Sequence, residues 1–432
     1  PGGWGHLTLE GEAVLGGHEE VWVRTREHPI VGEMPARLAV HSFDGFYEEA
    51  EHFASLYRRI AAEVVRLGRR EEGVLYAVPG HPWVGESTVG QIVALAREEG
   101  IPVRIVEGLS FIEPVLAMVE ADALDGLQVA DATTVAGRYA PPFDGDHPVL
   151  VAQIYDRMVA SDVKLVLMEL YPAEHPVTLV NGAGTEEARM VTMPLYGLDQ
   201  QSDFSYLSTL WVPPLEQPSS LPHFQNIIAH LRSPEGCPWD QKQDHHTLRA
   251  SLLEEAYEAA DAIDREAMGE LRDELGDLLL LITMHAQIAS ERGDFNLADV
   301  VASISQKIVR RHPHVFGTRE VSGAEEVVRN WDEIKAEERA GKEERPRDQF
   351  EEVAAALPAL MRAQKIARRA RKQGWQAPDP AAAFDAWQGS PDSDAALGDL
   401  LLALAARASE QEQDAEESLR RATARLVAEQ RG

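Results

Sequence analysis

The chain has 432 residues, with 41 Lys and Arg against 72 Asp and Glu and a formal net charge of −31. That length holds two or three domains, each with its own core, and the acidity excludes binding of polymeric nucleic acid through a broad basic face. A small anion that arrives with its own divalent cation is not excluded. Cys237 is the single cysteine, which rules out a disulfide framework and a cysteine-built zinc site. No basic-then-apolar signal opens the chain, and the apolar run at 278 to 282 is far short of a membrane span. A soluble cytoplasmic protein with no membrane partner is expected. The first residue is Pro1, with no initiator Met, which reads as a fragment or a processed chain.

In chain order, short β-rich runs come first. Strands are expected over 73–80, 101–108, 147–156 and 175–184, and helical periodicity runs over 47–70 and 85–100. Such alternation predicts an α/β domain over 1–215 with a largely parallel sheet. The stretch VPPLEQPSSLP at 212–222 is rich in proline and serine, and the linker is placed at 216–222. Beyond it the strand signal ends and a 3.6-residue period takes over, which predicts an all-α domain over 223–345. A charged, proline-containing break, AGKEERPRD, covers 340–348. The sequence LGDLLL at 275–280 recurs at 397–402, so residues 346–432 read as a second, unequal copy of the helical unit.

The first copy carries the chemistry. Glu255 and Glu258 are three apart, as are Glu274 and Asp277, so each pair lies on one face of its own helix. The break around DREAMG fits a short helix–helix connection. Both pairs are symmetric about Glu266, so an antiparallel hairpin sets 255 opposite 277 and 258 opposite 274. Two carboxylates about 5 Å apart repel by about 3 kcal/mol at an effective dielectric of 20. A divalent cation converts that repulsion into coordination, and oxygen ligands alone favour Mg²⁺ or Mn²⁺. Gly276 costs about 1 kcal/mol against Ala inside a helix, and a close backbone approach at the site is the expected reason for it. A buried apolar run is expected directly after Asp277. A single acidic pair at this spacing would read as a solvated helix face; two pairs in matched register do not.

Basic partners follow. Lys307, Arg310 and Arg311 fall on one helix face at i, i+3 and i+4, suited to phosphate oxygens. Taken alone, they serve a helix C-terminal dipole equally well. Trp331 either stacks on a base or packs in a core, and Lys335, one turn on, reaches a phosphate or only solvent. His245, His246, His312 and His314 lack cysteine partners and helical spacing, so they are not read as a metal site. In GCPWD, Asp240 is expected to cap a helix and Trp239 to pack beneath the site.

Five stretches, GCPWDQKQ, LLEEAYEAADAI, ELRDELGDLLL, KIVRRHPHVFG and NWDEIKAEER, together resemble the MazG family of nucleoside triphosphate pyrophosphohydrolases over about 222–340. Its EExxE–ExxD signature matches Glu254-Glu255-Ala-Tyr-Glu258, then Glu274-Leu-Gly-Asp277. The resemblance implies an all-α fold, a homodimer, and Mg²⁺-dependent hydrolysis of NTPs to NMP and pyrophosphate. It makes Glu255, Glu258, Glu274 and Asp277 the metal ligands and Glu254 the group that orients or deprotonates the attacking water. Lys307, Arg310 and Arg311 then hold phosphates, with Trp331 near the nucleotide.

Residues 1 to about 215 resemble the tetrapyrrole (corrin/porphyrin) methylase fold, through VWVRTREHP, YAVPGHPWVGEST, VEGLSFIEP, ADAT, QIYDRMVASDVKLVLMELYP and VTLVNGAG. The resemblance makes KLVLMELYP helical and implies S-adenosylmethionine in the cleft at the strand ends. Two departures count against that cofactor. Only the tail of the glycine-rich motif is present, in PGGWG, and the family's Gly-Asp-Pro turn reads Gly80-His81-Pro82. Two rival functions stand beside the hydrolase: an S-adenosylmethionine-dependent methyltransferase with a helical dimerisation module, and a nucleotide-binding scaffold. The second helical copy is expected to be inactive. Ala396 replaces Glu274, leaving Asp399, and Arg425, Ala428 and Glu429 stand where Lys307, Arg310 and Arg311 stand in the first.

Overall fold

The computed structural model describes residues 2–48, 53–340, 350–351 and 353–431. It divides into two compact units, Pro1–Leu297 and Ala298–Gly432, so the expected 223–345 segment is shared between them. All but Ala340 of the AGKEERPRD break lies outside the described residues.

The first unit opens with a parallel sheet of order β2-β1-β3, built from β1 (Glu20–Val23), β2 (Ala39–Ser42) and β3 (Tyr76–Ala77). Helices α1 (Phe53–Gly68) and α2 (Ser87–Glu98) bury one stripe each. On α1 the stripe is Leu56, Ile60, Val64 and Leu67, the spacing that keeps residues on one helix face. Ile92 and Ala96 of α2 join it with Phe43. The Glu86 carboxylate accepts the Thr88 N–H at 3.0 Å and caps α2. Residues 101–108 form no strand. Both this segment and β3 line a cavity of about 530 Å³, which includes Leu75, Tyr76, Val103 and Ile105. Its backbone finds no ladder partner among the described residues, and that explains the lost strand.

A second, five-stranded sheet has the order β4-β5-β8-β6-β7. Its strands are β4 (Gln128–Asp131), β5 (Val149–Ala152), β6 (Pro176–Asn181), β7 (Arg189–Pro194) and β8 (Ser208–Val212). Only β4–β5 is parallel; the other three pairings are antiparallel. The expectation of a largely parallel sheet therefore fails here. After helix α3 (Arg157–Leu167), which contains the KLVL stretch, the strands connect without crossover helices, and such connections suit antiparallel neighbours. β5 is buried at all four positions, as a central strand covered on both faces should be.

The linker is held in place rather than loose. The Asp146 carboxylate accepts N–H bonds from Ser219 at 2.7 Å and Ser220 at 3.2 Å. Ser220 then caps α4 (Leu221–Arg232) by accepting the His223 N–H. Helices α5 (Arg249–Asp264) and α6 (Met268–Arg292) follow. Ile228 of α4 packs with Leu248 and with Leu281, Met284 and Ile288, which recur along one face of α6. Arg232, nearly buried, grips Glu291 through Nε at 2.8 Å and Nη2 at 2.7 Å, tying α4 to the end of α6.

The second unit has no strand among its described residues. Besides a single-turn helix at Pro313–Phe316, it holds α7 (Leu297–Arg311, beginning at the boundary), α8 (Ala324–Ala340), α9 (Ala359–Lys372), α10 (Pro380–Gly389), α11 (Asp394–Glu410) and α12 (Ala415–Arg431). Buried Gln364 uses both ends of its amide, donating to Gln413 O at 2.8 Å and accepting from Ala415 N–H at 3.0 Å. That bond pair seats the start of α12 on α9.

Candidate active site

The turn between α5 and α6 places the acids. Only Arg265, Glu266 and Ala267 separate the helices, and Glu266 takes φ +53°, the left-handed region that reverses a chain tightly. The Arg265 guanidinium donates to Asp261 at 2.8 Å and also holds Glu270, stapling the turn from both sides. In the resulting hairpin, Glu255, Glu274 and Asp277 each offer a carboxylate oxygen, and these oxygens lie within 4.8 Å of one another. Glu258 is outside this trio, but its charge acts on both Glu255 and Glu274. Glu254 is exposed.

The electrostatics of the cluster are those of crowded anions. Partial loss of solvent, then the charges of Asp277, Glu258 and Glu274, push the Glu255 carboxyl above the usual carboxylate range. Glu274 is pushed the same way by loss of solvent, then by Glu258 and Asp277. Protonation of Glu255 as pH falls would relieve part of the repulsion. A divalent cation would relieve it further, and the all-oxygen donor set fits one of the hard kind. Among the described residues this is the sole group of three or more such ligands. The described residues of 346–432 hold no such group, and Asp399 stands exposed on α11.

Several expectations around the site need correcting. A Cβ built on Gly276 meets nothing within 4 Å, so no close backbone approach explains that glycine in this chain. The apolar run at 278–282 is only partly buried: Leu281 faces the core, while Leu279 and Ile282 are exposed, because a helix cannot turn consecutive residues inward. Trp239 is 65% exposed and does not pack beneath the acids. Asp240 makes no side-chain cap and instead begins a short 3-10 helix, Asp240–Lys242. His245 lies ring to ring with His285, Nδ1 to Nδ1 at 2.9 Å, an arrangement of two groups and not a metal cage.

The basic set lies in the second unit. Arg310 and Arg311 at the end of α7 both engage Glu338 of α8, each at 2.6 Å. The pair of guanidiniums pulls the Glu338 carboxyl down to about 2. Lys335 Nζ sits 5.1 Å from the Trp331 ring centroid, and His312 meets the same ring edge-on at 5.1 Å. Trp331 Nε1 is buried without a hydrogen-bond partner. The pairing of Glu338 with these arginines was not legible in the sequence, although the residue falls within NWDEIKAEER. It lies 27 residues from Arg311, and no local spacing links the two.

Comparison with known proteins adds what geometry cannot. Residues 243–316 match the model of the MazG nucleotide pyrophosphohydrolase domain, and 1–199 match that of the tetrapyrrole (corrin/porphyrin) methylases. The uncharacterized protein YabN of Bacillus subtilis is 37% identical over 83% of this chain and 73% of its own length. The Thermotoga maritima nucleoside triphosphate pyrophosphohydrolase/pyrophosphatase MazG is 36% identical over 47% of this chain and 80% of its own length. The chain belongs to the MazG family. Its helical MazG region follows an N-terminal tetrapyrrole methylase domain, and the family makes it a hydrolase of phosphoric anhydrides. It spans about half, 56%, of the Escherichia coli nucleoside triphosphate pyrophosphohydrolase, to which it is 47% identical over 150 residues. Among solved structures, uroporphyrin-III-C-methyltransferase from Thermus thermophilus is 20% identical, with a TM-score of 0.38 over 49% of this chain and 87% of that one. No helix among the described residues is long and apolar enough to cross a membrane.

Proposed function

We propose that this MazG protein is a Mg²⁺-dependent nucleoside triphosphate pyrophosphohydrolase that converts NTPs to NMP and pyrophosphate, a housekeeping activity on the nucleotide pool. The observation that carries the reading is the convergence of Glu255, Glu274 and Asp277 oxygens within 4.8 Å. Glu255, Glu258, Glu274 and Asp277 would hold the ion, and Mn²⁺ suits the same oxygen set. Once bound, it supplies polarisation of phosphoryl oxygens and acidification of water.

The chain's own groups do the rest. Glu254, exposed beside the cluster, orients the attacking water or takes its proton. Lys307, Arg310 and Arg311 hold the phosphates of the bound triphosphate. Trp331 offers a face to the base and Lys335 a further positive charge.

A homodimer belongs to the same proposal. Leu253 and Tyr257 on α5, with Leu275, Leu279 and Ile282 on α6, are exposed large side chains at helical spacing. Large apolar side chains left exposed at this spacing fit an interaction site, and a second copy is the partner that symmetry favours.

Incubation with each NTP and Mg²⁺, followed by separation of products, tests the proposal. NMP and pyrophosphate in equal amounts are expected. Release of NDP and orthophosphate, or no turnover of any NTP, would overturn it.

A further inference from the structure

We propose that Glu338 is a positioning residue: it bridges α7 and α8 and presets the guanidiniums of Arg310 and Arg311 for the phosphates of the substrate. The inference rests on the proposed role of those arginines as phosphate ligands and adds a residue that role does not contain.

The geometry is specific. Arg310 donates to Glu338 Oε1 through Nε at 2.8 Å, and its Nη2 lies within ion-pair range of the same oxygen at 2.6 Å. Arg311 donates through Nη2 to Oε2 at 2.6 Å and through Nε to Oε1 at 3.3 Å. Both guanidiniums therefore spend the same edge, Nε with Nη2, on one carboxylate. A guanidinium has five N–H donors in a fixed planar fork. The Nη1 end of each arginine is left for another acceptor, and a phosphate oxygen is what such a fork matches. One negative charge against two positive ones leaves the assembly cationic. The Glu338 side chain is 15% exposed, so the pairing is partly shielded, whereas Arg310 is 57% exposed and open to a ligand.

Position along the helices supports the same role. Trp331, Lys335 and Glu338 stand at i, i+4 and i+7 on α8, one face of the helix. Lys307, Arg310 and Arg311 share a face of α7. Glu338 is thus where the face that offers a ring and an ammonium is joined to the face that offers guanidiniums. Ionised far below neutral pH, it keeps its grip across any working pH. A partner that fixes the orientation of a ligand-binding group commonly matters by one to two orders of magnitude.

The test uses the full chain, Mg²⁺ and the triphosphate it turns over fastest. Glu338→Gln should raise KM about tenfold with little change in kcat. Glu338→Asp, which keeps the charge on a shorter arm, should recover part of the loss. Thermal melts of both variants separate this effect from unfolding, because a merely structural loss would not split KM from kcat or respond to the aspartate. An unchanged KM in Glu338→Gln would overturn the proposal. So would a fall in KM, which would make Glu338 an internal competitor of the substrate. Arg310→Gln and Arg311→Gln run alongside. If they leave KM unchanged, the phosphate-holding role itself fails and Glu338 falls with it. If they raise KM while Glu338→Gln does not, only the positioning role fails.

Discussion

Glu255 and Glu274 hold their protons to higher pH than free glutamates do, because each has lost solvent and stands among like charges. The folded state binds these protons where the unfolded chain has released them. The pair therefore adds stability as pH falls through the raised values and loses it as pH rises above them. In EDTA, Glu255→Gln should melt higher than wild type near neutral pH, since it removes a repelling charge. The difference should vanish toward about pH 4, where an ordinary glutamate is itself largely protonated. Melting curves across that range check the sign, and a difference that stayed constant with pH would refute it. Asp277→Asn, which removes a carboxylate of the trio, should lower NTP turnover about a hundredfold or more while the helical region stays folded. Glu258→Gln should do the same if the fourth acid completes the site, and wild-type turnover in it would restrict the site to three.

At the scale of elements, the hairpin of α5 and α6 is what turns sequence spacing into a site. Matched three-residue pairs mean nothing until the left-handed turn at Glu266 folds one helix back on the other. The second copy shows what happens without the acids. α10 ends at Gly389, with Pro391 just beyond, and α11 carries Ala396 and Asp399 where the first copy has two carboxylates. Residues 346–432 are proposed to be catalytically inert and to serve packing, through Ala383, Leu400 and Ala403. Asp399→Asn should leave hydrolysis within about twofold of wild type, as for a surface substitution. Comparable losses in Asp399→Asn and Asp277→Asn would show that the second copy takes part.

At the scale of the whole molecule, cofactor binding by the methylase domain and self-association each have a direct test in solution. The domain has a short β3 and an unpaired segment at 101–108 beside its cavity. The turn Gly80-His81-Pro82 stands where the resemblance has Gly-Asp-Pro, which counts against a tight cofactor site. Calorimetry with S-adenosylmethionine is expected to show weak or no binding, and a micromolar Kd would revive the methyltransferase reading. Leu279→Glu should convert a dimer to a monomer in sedimentation, because a charge would be buried at the apolar stripe. A wild-type monomer would remove the dimer proposal outright.

Local pattern was enough to reveal the helical half, the α/β half and the matched acidic pairs, because periodicity and spacing act over a few residues. The letters also show that residues 346–432 lack the paired acids of the first copy, and the proposal that this region is inert rests on that. Local pattern misjudged the second sheet, whose strand direction depends on which strands meet and not on any one strand's composition. It misjudged Gly276 and Trp239, since exposure is a property of neighbours brought from elsewhere. The role of Glu338 was invisible for the same reason: its partners Arg310 and Arg311 are 28 and 27 residues away, and only the tertiary fold brings one carboxylate to two guanidiniums.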